Sequence, residues 1–283
     1  MCEILIDDLS AHKNFIIDEI YKIYEVENVL SYSNENYNSW KLTTEPSVSI
    51  DHYYFVIDTL YDEAFSHWVF ESAIYLPVFH KLKKLYPSLK LVLKAKRTFK
   101  QLFCKYFQIE DVVYDTKPNN ICLFPSPITS LNDKNITEDY KQQVYNFAKY
   151  FDGEAELHHE FVIMPRQSKE NFIYNDRKFN FERLINCLKN RSYILNTDEI
   201  VDLNDQIAIV KSGKNICVTE GSPFYVNGLF CNNKTIYIVD ISECCITQPK
   251  IYIKLQFILD THKSRNKVVY ISQTDLIESY SHF

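Results

Sequence analysis

Glycine is scarce in this chain: four residues in 283, at positions 153, 213, 221 and 228. A P-loop and a G-x-G-x-x-G fingerprint each need several glycines within a few residues. Neither is present. The eight cysteines (2, 104, 122, 187, 217, 231, 244 and 245) contain no C-x-x-C, and only Cys244-Cys245 are close in sequence. That spacing matches neither a zinc site nor a disulfide framework, so the expectation is buried free thiols in a reducing compartment. No uninterrupted apolar run approaches the length of a membrane span. The start, Met1 to Asp8, lacks the basic and apolar regions of a signal peptide. The expected location is therefore cytoplasmic, with no transmembrane segment. The net charge of −6 comes without any dominant basic stripe, which argues against nucleic acid as a partner. The short run Lys81-Leu82-Lys83-Lys84 reads as a solvated helix face, or else as a weak peripheral contact with an anionic membrane surface or polymer.

What is present is an ordinary globular composition, 46% hydrophobic and 24% charged, enough for a real core in one or two domains. From residue 53 strand and helix patterns alternate. Tyr53–Ile57 reads as a strand and 67–85 as a helix kinked or interrupted by Pro77. Leu89–Leu93 reads as a strand, 98–107 as a helix, and Val112–Tyr114 and Ile121–Phe124 as strands. Residues 125–137 form a Pro- and Ser-rich loop, followed by a helix over 138–151 capped by Thr137. A second alternation begins at Glu160. Its strands are expected at 161–164, 192–195, 215–219, 235–239 and 267–271. Its helices are expected at 179–189, 203–211, 222–230, 249–261 and 274–282. The rhythm predicts an α/β protein with two Rossmann-like lobes and mostly parallel sheets. The divisions fall at residues 1–137 for the first lobe, 138–159 for a linker helix region and 160–283 for the second lobe.

Ligands of open parallel sheets bind beyond the carboxyl ends of the strands, and three stretches there could carry chemistry. Arg166 follows the strand ending at Met164-Pro165, where its guanidinium could hold a diphosphate through two parallel bonds; it could equally be a surface Arg. Glu220-Gly221-Ser222-Pro223 forms a strand–turn–helix junction with Ser222 as expected N-cap. Free N–H groups at such a start can bind phosphate, or the turn is simply a capped core helix. His67 and Glu71 lie four residues apart on one helix face, near a helix start whose dipole disfavours an imidazolium. That pair could take a proton from a hydroxyl, or His67 could be a structural neighbour of a core Trp.

Taken in order, these stretches resemble glycosyltransferase family 61. The matching residues are His67-Trp68 with Glu71, then Leu76-Pro77-Val78-Phe79, Pro165-Arg166, Asn175-Asp176, the helix from Asp205 to Val210, and Gly221-Ser222 with Asn227 and Phe230. They span roughly residues 53 to 240. The acid on the first helix is Glu71 where Asp is commoner. Asn171 stands where a second basic residue is frequent, with Lys169, Arg177 and Lys178 nearby. The resemblance implies a GT-B architecture and an inverting, metal-independent transfer of a sugar, without a cofactor, from a nucleotide-sugar donor to a saccharide or glycoconjugate acceptor. It implies His67 and Glu71 as the catalytic pair. It also implies Arg166, Lys169, Asn175, Glu220, Gly221, Ser222 and Asn227 as donor-binding residues. Transfer of a non-sugar group such as pyruvyl, and a non-catalytic saccharide- or partner-binding module, remain as alternatives.

Overall fold

The computed structural model describes residues 15–16, 22–26, 54–57, 64–85, 87–114, 122–126, 138–165, 181–196, 200–240 and 256–280. The chain is α/β with parallel-strand sheets, and it divides into two compact units, residues 1–147 and 148–283.

The first unit is built on a six-stranded sheet in the order β1-β2-β6-β3-β4-β5. The strands are β1 (Phe15–Ile16), β2 (Lys22–Val26), β3 (Tyr54–Ile57), β4 (Lys90–Leu93), β5 (Val112–Tyr114) and β6 (Cys122–Ser126). Strands β3 to β6 run parallel, whereas β1 and β2 add an antiparallel edge alongside β6. This edge is absent from the sequence expectation, which starts at residue 53. The strand β6 also extends through Pro125, expected in a loop. Proline removes a ladder donor; at Pro125 no β3 residue stands opposite, since β6 meets β3 only at Cys122 and Leu123, and the paired residue there is Ile23 of β2.

Helix α1 (Phe65–Glu71) gives way to a 3-10 turn (Ala73–Tyr75) and then to α2 (Leu76–Leu85). Pro77 explains the break. Its ring would clash with the carbonyl of residue 73 in a continuous helix, whereas the second position of a new helix tolerates it. Ser72 takes φ −129° and ψ −53°, ending α1. The hydroxyl of buried Tyr140, on α4 (Glu138–Ala148), donates to Phe70 O at 2.6 Å, satisfying a carbonyl beside that break. Helix α3 (Thr98–Tyr106) sets Phe99 and Phe103 against Trp68, with ring centroids 5.6 and 5.3 Å apart. The basic run of α2 is only partly a solvated face: Lys81 and Lys84 are exposed. Lys83 instead bonds the carbonyls of Pro87 and Leu89 and pairs with Asp111 at 2.7 Å.

The second unit holds a wholly parallel five-stranded sheet in the order β11-β10-β9-β7-β8. Its strands are β7 (His159–Met164), β8 (Ser192–Ile194), β9 (Gly213–Val218), β10 (Thr235–Asp240) and β11 (Lys267–Ser272). The helices are α5 (Glu182–Leu188), α6 (Leu203–Ser212), α7 (Ser222–Asn227), α8 (Gln256–Arg265) and α9 (Gln273–Tyr280). Residues 161–164 and 216–218 are almost wholly buried, as strands covered on both faces must be. The helix expected over 249–261 is described only as 256–265, and residues 249–255 lie outside the described residues. Phe161, Ile163 and Cys217 pack with residues of α5 and α9. On the other face, Gln206 of α6 bonds Asn227 of α7, and His262 of α8 bonds the Tyr225 carbonyl of α7.

His262 is fully buried, and its Nε2–H donates to Tyr225 O at 2.9 Å. Gly228 makes room for it, because a Cβ there would lie 2.6–2.8 Å from the ring. Burial pushes the imidazole pKa down to about 4 from an ordinary 6.5, with nearby Arg265 acting in the same direction and the Tyr225 hydrogen bond opposing it. Between those values the unfolded chain takes up a proton that the folded chain refuses. Stability is therefore complete above about pH 6.5 and is lost as the pH falls through about 4, by roughly 3 kcal/mol in total. Urea titrations at pH 7 and 4.5 should show this loss, and His262→Gln should flatten it. An unchanged pH slope in that variant would contradict the assignment.

Candidate functional site

The order of the second sheet determines where its loops diverge. The chain passes from β7 to β8 in one direction across the sheet and from β8 to β9 in the other. Right-handed crossovers place successive helices on opposite faces when direction reverses. The segments leaving the carboxyl ends of β7 and β9 therefore separate, α5 to one face and α7 to the other. Such a reversal opens a crevice at the carboxyl edge. The two strands are direct neighbours in register, Met164 opposite Val218. Pro165 and Thr219 thus leave the sheet side by side.

After Thr219 the chain turns through Glu220 and Gly221. Gly221 adopts φ 105° and ψ −153°, a conformation that side chains with a Cβ rarely reach. The N-cap is Gly221 rather than Ser222: the turn requires glycine at that position, and Ser222 becomes the first helical residue with Pro223 next. The cap makes no side-chain hydrogen bond, and Gly221 O accepts from Tyr225 N at 2.9 Å. Glu220, Gly221 and Ser222 are each half-buried. Thr219 is 1% exposed, and its Oγ1 meets no hydrogen-bond partner among the described residues. Sequence reading passes over this threonine because it follows a run of strand residues and matches no motif.

Asn227 is the last residue of α7, at the end of the helix away from the turn. It is 2% exposed; its Oδ1 accepts from Gln206 Nε2 at 2.8 Å and its Nδ2 donates to Pro223 O at 2.8 Å. Both ends of the amide are engaged in tying α7 to α6 and to its own first turn. Arg166, Lys169 and Asn175, together with Asn171, Arg177 and Lys178, lie outside the described residues.

In the first unit the parallel strands reverse order between β3 and β6. His67 lies in the first turn of α1, the helix that follows β3. Its Nδ1 is 2.8 Å from Glu71 Oε1, with the His side chain 24% and the Glu side chain 1% exposed. A carboxylate only accepts, so Nδ1–H donates and Nε2 becomes the basic ring nitrogen. The structure therefore brings His67 and Glu71 together. Trp68, beside them in sequence, belongs to the aromatic core.

Among the described cysteines, Cys104, Cys217 and Cys231 are buried free thiols. Burial pushes Cys104 and Cys231 up to about 12. Such groups are inert as nucleophiles at neutral pH. Among the described residues no helix is long and apolar enough to cross a membrane, and no group of three or more His, Cys, Asp or Glu residues is placed to hold a metal ion.

No protein-family model matches the chain, and no curated protein matches it. Removing Asn227 tests its structural role. Asn227→Ala should cost about 1–3 kcal/mol in urea denaturation, because Gln206 Nε2 and Pro223 O then lose a buried partner. Unchanged stability would show that the tie contributes nothing.

Proposed function

We propose that this protein is a glycosyltransferase of GT-B type, similar to family 61, moving a sugar from a nucleotide-sugar donor to a hydroxyl of a saccharide or glycoconjugate. The observation that carries the reading is the strand reversal in the second unit. It sets Met164 of β7 level with Val218 of β9, so that Pro165 and Thr219 leave side by side at the edge where sheets of this topology take ligands. The His67–Glu71 pair supports the catalytic half independently, since a carboxylate-oriented imidazole is a suitable general base.

The proposed reaction is a single displacement with inversion. The acceptor oxygen forms a bond to the anomeric carbon. The bond from that carbon to the diphosphate oxygen breaks, and its electron pair leaves with the nucleoside diphosphate. The acceptor proton passes to His67 Nε2, while Glu71 holds the ring and stabilises the imidazolium that results. Arg166 and the backbone N–H groups at the helix start of Ser222 offset the charge developing on the leaving group, with Lys169, Asn175, Glu220 and Gly221 around the donor. The proposal requires no metal and no cofactor.

Thermal shift with UDP-, GDP-, CMP- and dTDP-linked sugars tests donor binding. One of them should raise the melting temperature and be hydrolysed or transferred, whereas no response to any would favour a non-catalytic module. His67→Ala should lower turnover about 10²–10⁴-fold, and near-normal turnover would remove His67 as the base. Arg166→Ala should weaken nucleotide affinity, while an unchanged dissociation constant would take Arg166 out of the site.

A further inference from the structure

Thr219 is the one polar side chain at the end of an otherwise apolar run. Ile216, Cys217 and Val218 before it are 1%, 0% and 1% exposed, and Thr219 itself is 1% exposed. Valine has the same shape and would fill that place without removing a hydroxyl from water. A buried hydroxyl normally finds a hydrogen-bond partner, yet Thr219 Oγ1 has none among the described residues. A group from outside them would satisfy it.

Its position suggests where. Cys217 packs on the face covered by α5 and α9, and strand alternation continued by two residues sets Thr219 on that same face. The chain then turns at Gly221 toward α7 on the opposite face. Thr219 therefore stands at the carboxyl edge of β9 next to β7, on the face opposite the one its own loop turns toward. Glu220, the next residue, is a carboxylate and cannot donate a hydrogen bond, whereas a hydroxyl can donate to an anionic oxygen.

We propose that Thr219 is a ligand-binding residue of the second unit, its Oγ1–H donating to a phosphate oxygen of a nucleoside diphosphate. This rests on the donor-site reading and adds to it a residue that no motif identifies.

The test compares wild type, Thr219→Val and Thr219→Ser by calorimetric titration with UDP, GDP, CDP and dTDP, and by melting of the ligand-free proteins. For a diphosphate that the wild type binds, Thr219→Val should weaken affinity about tenfold, equivalent to ~1.4 kcal/mol. Thr219→Ser, which keeps the hydroxyl, should stay within about threefold of wild type. The ligand-free valine variant should melt at or above the wild-type temperature, since it loses a hydroxyl with no partner in the protein. Equal affinity in wild type and Thr219→Val overturns the Thr219 assignment and leaves the donor site standing. A clearly lower melting temperature for ligand-free Thr219→Val also overturns it, because the hydroxyl is then partnered within the protein. If the wild type binds none of the four diphosphates, the donor-site reading fails and the Thr219 assignment falls with it.

Discussion

The reversal of strand order between β7 and β9 is the constraint on which the functional reading depends. A parallel sheet closed by right-handed crossovers cannot reverse direction without sending two neighbouring connections to opposite faces. This divergence follows from topology before any side chain is considered. Side chains then define its edge. Gly221 permits the turn, buried strands hold Met164 level with Val218, and the tie from Asn227 to Gln206 anchors the short helix behind the turn. What the site can do is thus decided by a few residues at the carboxyl ends of two buried, neighbouring strands.

Polar groups inside the second unit fall into two kinds. Asn227, Gln206 and His262 are buried and bonded to neighbouring helices, so they fix how α6, α7 and α8 pack on one face. His262 does so as a neutral ring wedged over Gly228, which makes the packing of α8 on α7 sensitive to acid. Thr219 is of the other kind: it lies at the carboxyl edge and bonds nothing among the described residues. A buried hydroxyl without a partner requires a physical explanation, and the proposed ligand contact supplies one.

Much of the second sheet is legible in the sequence because fully buried parallel strands read as unbroken apolar runs, such as Phe161–Met164 and Ile216–Val218. The interrupted α1–α2 segment is legible from Pro77, although the break itself falls earlier, at Ser72. Strands β1 and β2 escape notice because they are short and half-polar, as in Lys22-Ile23-Tyr24-Glu25-Val26, and the pairing of β2 with β6 is a contact across roughly a hundred residues that no local pattern encodes. At the candidate site, the four-residue spacing of His67 and Glu71 suffices to pair them. For Asn227 the spacing gives a place on the short helix after the turn, but not the bonds its side chain makes to Gln206 and Pro223. Thr219 is invisible to it because an orphaned hydroxyl is a property of three-dimensional surroundings, not of spacing.

The most direct test of the central claim is amide hydrogen exchange with and without the nucleotide sugar that raises the melting temperature most. If the strand reversal carries the donor, exchange should slow in the segments that leave β7 and β9, around residues 165–171 and 219–222. The opposite edge of the same sheet, residues 152–158, should be unaffected. Protection at 152–158 with none at 219–222 would contradict the account.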